Sequence, residues 1–100
     1  MNAFTVSEGS PEDFVDRVQG ELMSRQFEDI ASIRLDGEVL VVAFSWMGTT
    51  SLTYRVMPEV RGFSARLERQ KVSPFHAPFK AGFIERFDQI LATVGARSVG

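Results

Sequence analysis

An α+β fold is predicted by three features of this chain: apolar and polar residues alternate from Ala31 to Gln70, turn residues interrupt the alternation, and a helical apolar stripe lies on either side. Side chains on a strand point to opposite faces with period two, so the alternation calls for a sheet with one buried face. Breaks at Asp36-Gly37, at Met47 to Thr50 and at Pro58 to Gly62 divide it into four strands. Such short connections make a four-stranded antiparallel meander. The expected order is α-β-β-β-β-α, with the N-terminal and C-terminal helices packed on one face.

Ser10 is placed to cap the first helix, and Pro11 suits its first position because the N–H it lacks would have no partner there. Glu12 and Asp13 complement the helix dipole. Phe14, Val15, Val18 and Leu22 then form one apolar stripe, with Asp16, Arg17, Gln19 and Glu21 opposite. Gly20 lies inside this helix, where glycine costs roughly 1 kcal/mol against alanine. It is expected either to let the helix approach the sheet or to be neutral.

In the first strand Ala31, Ile33 and Leu35 share one face, and Asp36-Gly37 supplies the tight primed turn that follows. The third strand turns Leu52, Tyr54 and Val56 inward, and the fourth turns Phe63, Ala65 and Leu67 inward. The second strand departs from this one-sided rule. Leu40, Val42, Phe44 and Trp46 form one row, and Val39, Val41 and Ala43 form an equally apolar row behind it. A strand reads that way when both sides are covered. Either a partner covers the second row or the stems of Arg34 and Arg55 do.

The C-terminal helix carries Phe75, Phe79, Phe83 and Phe87 at four-residue intervals, followed by Ile90, Leu91 and Val94. That spacing places the rings on one stripe, expected to dock on the sheet. Pro74 and Pro78 delay regular helix to about Ala77 or Pro78, with Ser73 to His76 as an irregular entry, and Gly95 ends it.

A chain of 100 residues has room for one apolar core, so residues 1–100 are read as a single domain, with 1–9 and 96–100 as flexible ends. The 44% hydrophobic and 24% charged content are globular values. With no cysteine, disulfides, thiolate metal sites and cysteine nucleophiles are excluded. No membrane span or signal-peptide pattern is read, and a cytoplasmic protein is expected. Net charge is -2, with a balance of -5 in residues 1 to 29 and +3 in the rest.

Sequence motifs for chemistry are absent. His76 is the single histidine, and the H-E-x-x-H, G-x-S-x-G, G-x-G-x-x-G and phosphate-loop patterns do not occur. His76 is expected to serve a surface or packing role. Glu8, Glu12, Asp13 and Asp16 read as solvated acids at a helix start. No catalytic residue, cofactor or metal is assigned, and the reading leans away from an enzyme.

The order helix, four antiparallel strands, helix resembles the general plan of frataxin-type domains, and small secretion-chaperone subunits use related helix-and-sheet elements. The resemblance is one of element order, so no site residue is carried over. A secretion chaperone would imply an acidic dimer that binds an unfolded partner chain, in line with the sequence pI of about 5.3.

The function expected is that of a small, intracellular, noncatalytic protein-binding or homodimerising module. Its surface is the exposed sheet face, with Val39, Val41, Ala43, Thr53 and Arg55 at the interface, or the Pro-Phe-His-Ala-Pro-Phe turn, or both. One alternative is a nucleic-acid contact through Arg34, Arg66, Arg69 and Lys71, although no aromatic residues are interleaved with these bases and the acidic pI opposes long-range attraction. Another is a small ligand binder or enzyme with its site between subunits.

Overall fold

A computed structural model describes residues 1–99. The element order is β1 (Ala3–Val6), α1 (Pro11–Ser24), β2 (Ala31–Asp36), β3 (Val39–Ser45), β4 (Thr49–Pro58), β5 (Phe63–Lys71), a 3-10 turn (Ala77–Phe79), α2 (Lys80–Thr93) and β6 (Ala96–Ser98). The strands form one antiparallel sheet in the order β2-β3-β4-β5-β1-β6. The expected meander is β2 to β5. Two further strands extend it to six, so the α-β-β-β-β-α order is corrected at both ends.

The N-terminal segment expected to be flexible contains β1, which pairs with β5 through Phe4↔Ala65 and Val6↔Phe63. The C-terminal segment contains β6, paired with β1 through Val6↔Ala96; Gly100 lies outside the described residues. Phe4, Val6 and Ala96 are buried, so these short strands lengthen the core-facing rows of the meander. Gly62 makes the docking possible. It sits at φ +68°, and a Cβ there would overlap the carbonyl oxygen of Val6.

Helix α1 starts where expected, with a reciprocal cap: Asp13 N–H donates to Ser10 Oγ at 3.1 Å and Ser10 N–H donates to Asp13 Oδ2 at 3.5 Å. Its buried Phe14 ring meets Phe4 and Phe63 at 5.8 and 5.4 Å between centroids. Gly20 faces open space, with nothing within 4 Å of a modest side chain placed there, so it is not a point of close approach. The β2–β3 turn centres on Gly37-Glu38 rather than Asp36-Gly37, because Asp36 still pairs with Val39. Gly37 at φ +61° fills the first central position, where a mirror-image turn requires glycine.

In-register rows build the core. Leu35, Leu40, Tyr54 and Leu67 cross four strands in line, as do Ala31, Phe44 and Thr50 across three. Phe87, Ile90 and Leu91 of α2 are buried, with the Phe87 ring 5.4 Å edge-on from Phe44. The four-phenylalanine stripe is divided. Phe87 is buried and Phe83 half-buried, whereas Phe75 is 65% and Phe79 54% exposed. Both exposed rings precede the first α-helical residue, Lys80, so helical spacing does not govern where they point. Trp46 likewise leaves the inward row of β3, since it lies beyond the last strand residue, Ser45.

Candidate functional site

The β3–β4 turn and the segment from Ser73 to Phe79 meet at one end of the sheet. Met47 adopts φ +53° and Gly48 φ +134°, a conformation that folds the turn back so that Trp46 N–H donates to Gly48 O at 2.9 Å. Gly48 also lies tight against Ser73, leaving no room for a side chain. Pro74 and Pro78 keep the second segment out of α-helix, and a hydrogen bond from His76 N–H to Ser73 O at 2.9 Å closes it into a turn.

His76 joins the two segments. It is fully buried, its Nδ1 lies 2.7 Å from Thr50 Oγ1, and its Nε2 meets the carbonyl oxygen of Trp46. A carbonyl can only accept, so Nε2 carries a proton and donates it. Thr50 Oγ1 accepts from Ser73 N–H at 3.0 Å, and its own proton completes the bond to Nδ1. With both ring nitrogens engaged and no exposed edge, His76 is a packing residue and offers no free lone pair for general-base chemistry.

This base carries an apolar surface. Trp46, Met47, Phe75 and Phe79 are 47–69% exposed. Trp46 stacks over the His76 ring at 6.4 Å and meets Phe79 edge-on at 6.1 Å, while Phe75 borders Gly48. The surface continues past Phe79 into a groove of about 470 Å³ between α2 and the α1–β2 connection, lined by Phe27, Ile30, Phe83 and Arg86 among others. Rigid, exposed aromatic residues and methionine are the side chains that supply most contact energy in protein interfaces.

Comparison adds no identity. The chain matches no protein-family model, no curated protein and no solved structure at a significant level. The geometry is therefore the basis for a functional reading.

The residues singled out on the sheet fall on its outer face, in cross-strand rows. One row runs Arg34, Val41, Thr53, Arg69; the next runs Asp36, Val39, Arg55, Arg66; the third runs Ser32, Ala43, Ser51, Lys71. Val39, Val41, Ala43 and Thr53 are half-buried, while the arginines are exposed. A register shift between Thr53 and Tyr54 brings Glu68 alongside Arg55, with Nη2 and Oε1 at 3.0 Å, and Glu38 approaches the same guanidinium at 3.6 Å. Arg34 pairs with Asp36 at 3.5 Å. Arg66, Arg69 and Lys71 form no ion pair among the described residues. The structure thus brings the proposed interface and the proposed phosphate contacts onto a single mixed surface, with no aromatic ring in these rows for base stacking.

Other chemistry finds little support in the arrangement. Among the described residues no group of three or more His, Asp and Glu side chains converges to hold a metal ion. No helix of the described residues is long and apolar enough to cross a membrane. Among the described residues Tyr54 is the one group with a strongly altered titration: burial, and secondarily the nearby Asp88 carboxylate, push it up to about 12. Its hydroxyl donates to Met1 O at 2.8 Å beneath the first residues of β1, a structural position.

The sequence marks the Pro-Phe-His-Ala-Pro-Phe turn as a surface of interest but puts Phe79 on the core stripe and Trp46 in the row of Leu40, Val42 and Phe44, whereas both are exposed. The available signal was the pair of prolines: a helical interval that spans Pro74 and Pro78 cannot be read as helical.

Proposed function

We propose that this chain is a small noncatalytic protein-binding module whose contact surface is the patch formed by Trp46, Met47, Phe75 and Phe79. One observation carries the reading: four large apolar side chains are held exposed, side by side, on a turn pair that His76 fastens from below. Exposed side chains of this size cost solubility, and contiguous exposed apolar surface marks interaction sites. The patch is preferred to the outer sheet face, where Val39, Val41 and Ala43 are small, half-buried and crossed by charged neighbours. The expected arrangement in the cell is a complex with another protein, or with a second copy through the same patch.

The test is site-specific photocrosslinking in the native host, with p-benzoylphenylalanine in place of Phe75 and, as control, in place of the exposed Val60 in the β4–β5 turn. Discrete adducts are expected from position 75 and not from position 60; an adduct of twice the chain mass would identify self-association. Unchanged monomer at both positions would overturn the reading.

A further inference from the structure

The groove beside the patch has a polarity that specifies its occupant. Its floor and walls are apolar, from Phe27, Ile30, Phe79 and Phe83, and among the described residues Arg86 is the only charged one lining it. Arg86 Cζ lies 5.7 Å from the centroid of the Phe27 ring, and the side chain pairs with no carboxylate among the described residues. A second depression continues beyond it, lined by Arg25, Phe27, Arg86 and Gln89. Arg25 is already engaged, by Glu21 at 3.0 Å and Thr93 Oγ1 at 3.1 Å. Glu28 and Asp29 share the connection with Phe27 and Ile30, and neither lines either depression. Among the described residues the apolar groove therefore ends at a cation without an ion-pair partner.

We infer that this groove receives a short segment of a partner protein that places a large apolar residue between Phe79 and Phe83 and an acidic residue on Arg86. Phe79 and Arg86 both line the groove, so an apolar side chain seated beside Phe79 and an acidic one on Arg86 can belong to the same short segment. A guanidinium without an ion pair keeps its N–H groups free for the bidentate geometry that suits a carboxylate. Trp46 and Met47 extend the apolar track beyond Phe79, so the segment would contact groove and patch together. The inference rests on the reading of the patch as a protein contact and adds the chemistry of what it contacts.

The test is selection of a random dodecapeptide display library on the immobilised, folded full chain, followed by affinity measurement on individual synthetic peptides. Enriched peptides should carry a large apolar residue and an Asp or Glu. Their binding should weaken about tenfold in Arg86→Gln and more in Arg86→Glu, as loss and then reversal of a charge-assisted contact requires. Selection on Arg86→Glu should return peptides with Lys or Arg in place of the acid. Circular dichroism must show both variants folded; Arg86 is exposed, and Arg86→Lys, which retains charge without the planar fork, serves as the control if either is not. Peptides that need Phe79 but show no acid preference would overturn the inference and leave the patch reading standing. Failure to enrich any peptide on the parent would also overturn it, while the photocrosslinking result decides the patch separately.

Discussion

His76 Nδ1 lies 2.7 Å from Thr50 Oγ1, although the two residues are 26 positions apart in the chain. With Nε2 on the Trp46 carbonyl and Ser73 N–H on the same threonine oxygen, this contact locks the β3–β4 turn to the turn that precedes α2. The exposed patch depends on that lock. His76→Ala would remove the donor to the Trp46 carbonyl and the acceptor of the Thr50 hydroxyl proton, while Thr50 keeps its bond from Ser73 N–H, and would leave a cavity where a fully buried ring had been. A loss of about 2–4 kcal/mol in denaturant unfolding is expected, together with a changed Trp46 emission spectrum; a variant as stable as the parent would show that the network contributes nothing.

The two ends of the aromatic series should respond differently to truncation. Phe87→Ala removes a fully buried ring against Phe44 and is expected to cost about 3–5 kcal/mol. Phe79→Ala removes a half-exposed ring and should cost less than about 1 kcal/mol. Equilibrium denaturation of the pair checks the division; equal losses would mean that Phe79 belongs to the core after all.

Two glycines should change stability in opposite directions. Gly20→Ala adds a methyl group into open space inside α1 and is expected to stabilise by about 0.5–1 kcal/mol. Gly62→Ala puts a Cβ against the Val6 carbonyl at a positive φ and should cost about 2 kcal/mol or more, with loss of hydrogen-exchange protection at Phe4 and Val6. Retained protection in the second variant would show that β1 docks independently of this contact.

Tyr54 supplies a pH dependence with a definite sign. Its folded-state value is raised from 10.0 to about 12 by burial and by Asp88, so the folded protein holds a proton that the unfolded chain has already released. The stabilisation is fully present below pH 10 and is lost as pH rises toward 12, by roughly 2–3 kcal/mol in total. Tyr54 is the single tyrosine, so ultraviolet absorption titrates it directly. A folded-state midpoint near 10 would refute the burial argument, and Tyr54→Phe should flatten the alkaline loss of stability.

Much of the architecture is legible in local pattern. The cap at Ser10, the stripe from Phe14 to Leu22 and the alternation of β2 to β5 each repeat a period several times within a few residues, so sequence alone dictates which faces turn inward. Strand β1 offers Phe4 and Val6 and β6 offers Ala96, too few alternations to set a period. They are strands because the free edge of β5 supplies hydrogen-bond partners for β1, and β1 then supplies them for β6. Only tertiary structure can provide an edge. The candidate site divides in the same way. The residue types of the Pro-Phe-His-Ala-Pro-Phe turn are plain to read, but exposure of Phe75, Phe79 and Trp46 follows from where the chain leaves regular structure. The burial of His76 follows from a turn 26 residues earlier. Sequence by itself determined the periodic elements and their apolar faces, because those depend on neighbours within a few positions. The six-stranded sheet, the aromatic patch and the meeting of Arg86 with Phe27 were decided by contacts between segments remote in the chain, where backbone pairing and burial override local spacing.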